Sequence, residues 1–217
     1  MDIFDNIEIP NFIDEIYIDI GLAADAPNTI SWLSQSPNSF VFGFEPVEEN
    51  CNRVIEKLKN LGLDNRFKLF RCAVDNVDEN TIKDFYVTCN SEVVGDHGQS
   101  SLFKLREELK DSMWIKKTVP TLCINLKSFL SKIDWQRFKK IKILKTDTQG
   151  NDLNIIKSIS NYFDKIEFIN CESHTYNQYQ RNDDNPHLIH EYLTNNGFTF
   201  LTSSVMNPDH IYKRENI

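Results

Sequence analysis

Short β-rich runs that close on an acid recur along the chain, separated by stretches with helical spacing. The first, Glu15-Ile16-Tyr17-Ile18-Asp19-Ile20-Gly21, leads through a tight loop to a helix start at Ala26-Pro27. Proline suits the first helical turn, where its missing N–H would have no partner, and Asp25 stands where an N-cap acceptor is wanted. The second run, 40–46, ends in Phe44-Glu45-Pro46, after which Val47, Cys51, Val54 and Leu58 predict a helix that closes near Asn60-Leu61-Gly62. Residues 67–74 read as the third strand and its exit, and 83–88 as an additional strand. Periodicity is then lost over 89–100, a glycine-containing loop that carries His97 and is long enough to be functional or mobile. Leu102, Leu105 and Leu109 predict a short amphipathic helix, 118–124 a strand, and Asn125 the cap of a helix carrying Leu126, Phe129 and Leu130.

The fourth core strand, 141–147, delivers Asp147 into Thr148-Gln149-Gly150, and Leu153, Ile156 and Ile159 mark the helix face that follows. The fifth, 165–172, ends on Glu172, two residues before His174. A polar loop with Tyr176, Tyr179 and Arg181 leads to a helix begun by Pro186 and closed by Gly197. Residues 198–201 and 211–212, around Asn207-Pro208-Asp209, read as a final antiparallel hairpin. Strands alternating with helices predict a doubly wound, mostly parallel α/β sheet, in which ligands collect at the carboxyl ends of the strands. With no repeat, low-complexity tract or linker, residues 1–217 read as a single domain. In that frame Asp19 and Gly21 border a nucleotide site, and Glu45 can accept two hydrogen bonds from ribose hydroxyls. The bland alternatives are a glycine turn that merely ends a strand and an acid that complements a helix dipole.

A formal net charge of -8 argues against a surface that tracks phosphates. The five cysteines, Cys51, Cys72, Cys89, Cys123 and Cys171, are odd in number and widely spaced, which suits buried thiols in a reducing, cytoplasmic setting better than disulfides or a zinc site. The acidic start, Met1-Asp2-Ile3-Phe4-Asp5, lacks the pattern of a signal peptide, and no apolar run has the length of a membrane span. Neither a nucleic-acid nor a membrane partner is expected; a homo-oligomer is left open.

Several blocks together resemble the FkbM-type methyltransferases: Tyr17-Ile18-Asp19-Ile20-Gly21, Phe44-Glu45-Pro46, Cys72-Ala73-Val74-Asp75, Gln99-Ser100-Ser101-Leu102, Asn195-Asn196-Gly197-Phe198 and, most specifically, Lys145-Thr146-Asp147-Thr148-Gln149-Gly150-Asn151-Asp152. The resemblance covers residues 15–213 and implies a seven-stranded, Rossmann-like methyltransferase sheet that binds S-adenosylmethionine. It implies a cofactor site at Asp19, Gly21, Asp25, Glu45, Pro46, Ala73, Val74 and Asp147, with adenine beside Ala73 and Val74. Asp25 stands where the family has a second glycine, and its side chain crowds a carboxylate-bearing ligand unless the loop takes another path. Asp152 replaces a glutamate one methylene longer.

The implied reaction is methyl transfer to a hydroxyl of a carbohydrate or another small molecule. Asp147, Glu172 and His174, with Lys145 beside them, are the residues expected to carry it. Two carboxylates that meet over neighbouring strand ends repel, so either one group is poised as a base near neutral pH or the cluster holds a divalent ion such as Mg²⁺ or Mn²⁺. The metal-free base is the favoured form. A non-catalytic binding module of the same fold and a nicotinamide-dependent oxidoreductase are the alternatives, the latter weakened by the absence of Gly-x-Gly-x-x-Gly.

Overall fold

The computed structural model describes residues 3–5, 7–89, 98–109, 114–173, 178–180, 185–203 and 209–215. His97, His174, Tyr176, Arg181 and the turn at Asn207-Pro208 lie outside these. In chain order the elements are β1 (Glu15–Ile20), α1 (Pro27–Gln35), β2 (Ser39–Phe44), α2 (Glu48–Asn60), β3 (Phe67–Phe70), β4 (Ala73–Val74), β5 (Thr81–Cys89), β6 (Trp114–Ile124), α3 (Leu126–Leu130), β7 (Ile141–Thr146), α4 (Asp152–Ser158), β8 (Ile166–Glu172), α5 (Pro186–Asn195), β9 (Phe198–Ser203) and β10 (Asp209–Arg214).

Seven strands form one sheet in the order β3-β2-β1-β7-β8-β10-β9. The first five run parallel, and β10 is antiparallel to both β8 and β9. The expected doubly wound sheet with a C-terminal antiparallel hairpin is therefore what the chain forms. Strands covered on both faces read as nearly continuous apolar runs, which is why β1 and β2 were legible: all of β2, and β1 from Ile16 onward, is buried. One face packs against α3, α4 and α5, and the other against α1 and α2. Phe129 of α3 anchors the first face, edge-on to Phe4, Phe42, Phe44 and Phe70 at centroid distances of 4.9–5.5 Å. The chain winds outward from β1 through β2 to β3, then returns to the other side of β1 as β7. The strand order reverses there, opening a crevice at the carboxyl ends of β1 and β7.

Three expectations need correction or refinement. Of residues 67–74, expected as a strand and its exit, the strand is Phe67–Phe70, and the exit is itself a strand of a second sheet. The Phe70 carbonyl accepts from both Glu45 N and Cys72 N, a three-residue turn that ends the ladder on β2. The chain passes instead into β4, which joins β6 and β5 in a separate three-stranded sheet ordered β4-β6-β5. Leu102, Leu105 and Leu109 do not share a helix: Ser101 bridges to Tyr86 and Leu105 to Tyr179, leaving only a 3-10 turn at Glu107–Leu109. Strand β6 also begins earlier than position 118 and contains Pro120. The proline is tolerated because β4 reaches only Cys123 and Ile124, so at Pro120 one side of β6 is an edge.

Asp25 does not cap α1. The N-cap is Ala26, in the left-handed conformation (φ 41°), with no side-chain cap. A residue before proline is steered away from the right-handed helical region, and Lys57 Nζ holds the Asp25 carbonyl at 3.0 Å. The Asp25 side chain is left exposed. Asn125 and Asn185, by contrast, cap α3 and α5 as the N-cap rule predicts, each accepting from the backbone N–H two residues on.

Candidate active site

A cleft with about 550 Å³ of unfilled space, partly open to solvent, lies at the carboxyl ends of β1, β2 and β7. Of the residues expected in a cofactor site, Gly21, Glu45, Pro46, Ala73, Val74 and Asp147 line it; Asp19 and Asp25 do not. Phe85 of β5, in the second sheet, and Leu102, which packs against that sheet, form one wall. Sequence reasoning missed both as site residues, because nothing local places the second sheet over the first.

Gly21 sits at the tightest point. Its N–H donates to Phe44 O, and Asp147 N donates to Ile20 O, so the turns after β1 and β7 clasp each other. Its φ is +79°, and a Cβ added there would lie 1.9 Å from the Asp147 carbonyl oxygen. Only glycine has the backbone freedom and the lack of bulk this position demands.

Glu45, only 4% exposed, closes β2. Its Oε1 accepts from Val47 N at 2.9 Å and Asn50 Nδ2 at 3.3 Å, and its Oε2 from Ala23 N at 3.2 Å. Burial pushes its pKa up to about 7 against the pull of these donors. A carboxylate has room for about four accepted hydrogen bonds, so one acceptor site remains toward the cleft.

Beneath the cleft lies a charged cluster built on β7. Lys145 Nζ is 3.2 Å from Asp147 Oδ2 and 3.9 Å from Asp19 Oδ1, which pairs in register across β1 and β7. Burial opposes charge on Lys145, but Asp147, Asp19 and Asp209 hold its ammonium well above the usual lysine range. Asp19 is therefore a support for Lys145, not a cleft residue. Burial raises its pKa, while Lys145 and a 2.7 Å bond from the Thr29 hydroxyl act the other way.

The parallel pairing of β7 with β8 brings Glu172 beside Asp147, as the strand-end reading predicted. Gln149 Nε2 donates to Asp147 Oδ1 at 2.8 Å and, closely, to Glu172 Oε2. Burial and the neighbouring Asp147 charge push Glu172 well above the usual carboxylate range. Burial alone would raise Asp147 too, but Lys145 and hydrogen bonds from Glu172 and Gln149 hold it below. The two members are thus pushed in opposite directions, Glu172 up by burial and the Asp147 charge, Asp147 down by Lys145 and its hydrogen bonds, which favours the charge on Asp147 and the proton on Glu172. Asp152, despite its shorter side chain, reaches back to the Thr148 N–H and hydroxyl and holds the turn that presents Asp147.

The donor set suits the cofactor the resemblance implies. Two strand-end acids, Glu45 and Asp147, face a cleft whose floor of Cys72, Ala73 and Val74 is apolar, matching a ribosyl purine that carries a cationic sulfonium. Among the described residues, no group of three or more His, Cys, Asp or Glu side chains is arranged to hold a metal ion. Among those residues too, no helix is long and apolar enough to cross a membrane.

The sequence pattern of the methyltransferase FkbM domain matches residues 15–200. No curated protein matches the chain in sequence. Among solved structures, the methyltransferase FkbM from Methylobacillus flagellatus KT aligns with a TM-score of 0.53 at 11% identity, over 96% of this chain and 45% of that one. A candidate rRNA-methylase from Clostridium thermocellum aligns at 0.50 and 13% identity, over 93% and 87% of the two chains. SMU.1697c from Streptococcus mutans, a candidate methyltransferase solved in complex with SAH, aligns at 0.47 and 11%, over 92% and 88%. At these identities the likeness is one of fold. The match over residues 15–200 goes further: the chain belongs to the FkbM family of S-adenosylmethionine-dependent methyltransferases.

Proposed function

We propose that the chain transfers a methyl group to a hydroxyl oxygen of a carbohydrate or another small molecule. The observation that carries this reading is Asp147: a carboxylate kept ionised by Lys145, at the end of a central strand, facing the cleft that Gly21 and Glu45 border. Bound S-adenosylmethionine supplies a methyl group on a sulfonium, already activated for transfer. What the chain must add is position and the removal of one proton. Glu45 accepts from one ribose hydroxyl through its remaining acceptor site, Pro46, Ala73 and Val74 enclose the adenine, and the Gly21 backbone allows close approach. Asp147 accepts the proton of the substrate hydroxyl as the substrate oxygen becomes the nucleophile, and releases that proton to solvent before the next turnover. Glu172, which holds a proton, supports the Asp147 charge and is not itself the base.

The choice of a neutral acceptor over RNA rests on charge. None of the described residues lining the cleft is lysine or arginine, and Lys145 beneath it is already engaged by Asp147 and Asp19, so the cleft offers a phosphate backbone acids rather than cations. The test is methyl transfer to a panel of sugars and small alcohols beside an RNA oligomer at low salt. Transfer to sugars, unaffected by chelator, supports the reading. Robust, steeply salt-dependent transfer to RNA would overturn the acceptor class, and chelator-sensitive activity restored by Mg²⁺ or Mn²⁺ would overturn the metal-free base.

Two cofactor predictions accompany it, both read by calorimetric titration with S-adenosylmethionine. Glu45→Ala is expected to weaken binding by about 1.5–3 kcal/mol, the usual worth of hydrogen bonds to a charged group. In the wild type, affinity should rise with pH through about 7, because the ionised Glu45 is the form that offers its remaining acceptor site to a ribose hydroxyl. Flat affinity from pH 6 to 8 would remove Glu45 from ribose binding. Asp25→Gly, at an exposed side chain away from the cleft, should change affinity and stability by no more than about 0.5 kcal/mol. A large gain in affinity would instead mean that Asp25 impairs the native site.

A further inference from the structure

We propose that Tyr179 is a positioning residue for this reaction, acting on Asp147 through the side-chain amide of Gln149. The inference rests on Asp147 being the base, and its own content is how that base is aimed.

Tyr179 stands in a polar loop after β8, where it would be expected to face solvent or substrate. Instead it is 3% exposed and does not line the cleft. Its backbone forms an antiparallel bridge with Leu105, flanked by hydrogen bonds from Arg106 N to Gln178 O and from Gln180 N to Lys104 O. This pairing carries its ring over Gly150: a Cβ added to that glycine would lie 3.1 Å from the tyrosine ring. The hydroxyl ends 2.9 Å from Gln149 Oε1 and 2.9 Å from the Gln99 carbonyl, so its one proton is directed at this pair of acceptors.

The consequence lies in which end of the Gln149 amide faces the acids. With Oε1 turned to the tyrosine, both N–H groups of Nε2 are left for Asp147 Oδ1 and Glu172 Oε2, the two bonds present. A reversed amide would set a carbonyl oxygen against two carboxyl groups and its N–H donors against the tyrosine hydroxyl. Side-chain amides have no strong intrinsic preference between these two orientations, so the neighbours decide. The Gln149 backbone is fixed as well: φ is +57°, uncommon for a residue with a Cβ, and its carbonyl accepts from Ser101 Oγ at 2.7 Å. A residue held in such a conformation at a site marks a position that the surroundings over-determine.

Asp147 is faced by Lys145 on its own strand, Asp19 on β1, Glu45 on β2 and Glu172 on β8, with Asp152 of α4 acting on Glu172 and Asp209 of β10 on Lys145. Among these, Lys145, Glu172 and the Gln149 amide are what favour its charged form. Loosening the amide therefore makes Asp147 easier to protonate, and the acid limb of kcat should move to higher pH.

The test uses Tyr179→Phe, which keeps the ring over Gly150 and removes only the hydroxyl. The expected result is a fall in kcat of about tenfold, the equivalent of one ordinary hydrogen bond, with an acid limb moved to higher pH and an unchanged dissociation constant for S-adenosylmethionine. Gln149→Met should show the same displacement of the limb, and the double variant should be no slower than Gln149→Met alone, because both changes remove one linked effect. A slower Tyr179→Phe enzyme with an unmoved acid limb, or losses that multiply in the double variant, would overturn the inference while leaving Asp147 as base. Full activity in Asp147→Asn would overturn both, since there would be no base to position.

Discussion

Lys145→Met is expected to cost about 3–5 kcal/mol of stability and to abolish methyl transfer. Lys145 is 4% exposed and lies between two buried acids, holding the charge of Asp147 above and working against the burial that raises Asp19 beneath. Removing the cation does not remove the need to compensate those acids. It leaves them buried and facing each other, and they relieve the repulsion only by taking up protons. Asp147 would then be protonated at a pH where the wild-type group is ionised, so the site loses its base along with its stability. The sign follows from the native shift. Asp147 is held below its unfolded value, so its contribution is present above the unfolded pKa and is lost as pH falls through the folded one. The variant should lose that acid-side dependence. Urea unfolding at several pH values measures both effects, and adding Asp19→Asn to Lys145→Met should recover part of the stability without recovering activity. A Lys145→Met protein as stable as wild type would show that the cluster is not held together by this charge.

Asp147→Asn should lower kcat by roughly 10²–10⁴-fold, the range removed with a general base, while the dissociation constant for S-adenosylmethionine stays within a few-fold. The substitution is nearly isosteric. Asn can still accept from Gln149 Nε2 through its oxygen, and the clasp between Asp147 N and Ile20 O is a backbone feature. What changes is the capacity to take a proton. Single-turnover measurements separate this from a binding defect: a true loss of base slows the chemical step at saturating cofactor and acceptor. Activity within twofold of wild type would send the search for the base elsewhere.

The sequence made the parallel core readable because strands buried on both faces cannot alternate. Runs such as Phe40-Val41-Phe42-Gly43-Phe44 and Ile141-Lys142-Ile143-Leu144 therefore announce themselves, with the acids that end them marking the strand tips. Glu45 and Asp147 were legible for that reason, and the structure puts both on the cleft. Asp19 and Asp25 were misplaced by the same local logic. Whether an acid after a strand faces the ligand or a neighbouring lysine depends on register with β7, and whether Asp25 caps a helix depends on Pro27 and on Lys57, 32 residues away. The break at Phe70 was hidden because its cause is a hydrogen bond from Glu45 N, distant in sequence. Nothing local marked Tyr179, in a polar loop, as buried, because its partner Leu105 is far away in sequence.

The departure of the chain into β4 sets up a division of labour that bears on how such a protein can change its substrate. The acids and their counter-charge sit on β1, β2, β7 and β8, locked together at Gly21, where not even a methyl group fits. The Phe85 and Leu102 wall of the same cleft is built on and against a different sheet, joined to the first through the turn at Phe70–Cys72. Pocket shape can therefore drift by exchange of side chains on β5 and its neighbour while the proton-handling parts stay untouched. A saturation library confined to Phe85 and Leu102 would be the economical place to seek new acceptors, and one aimed at the strand tips would mostly return inactive protein.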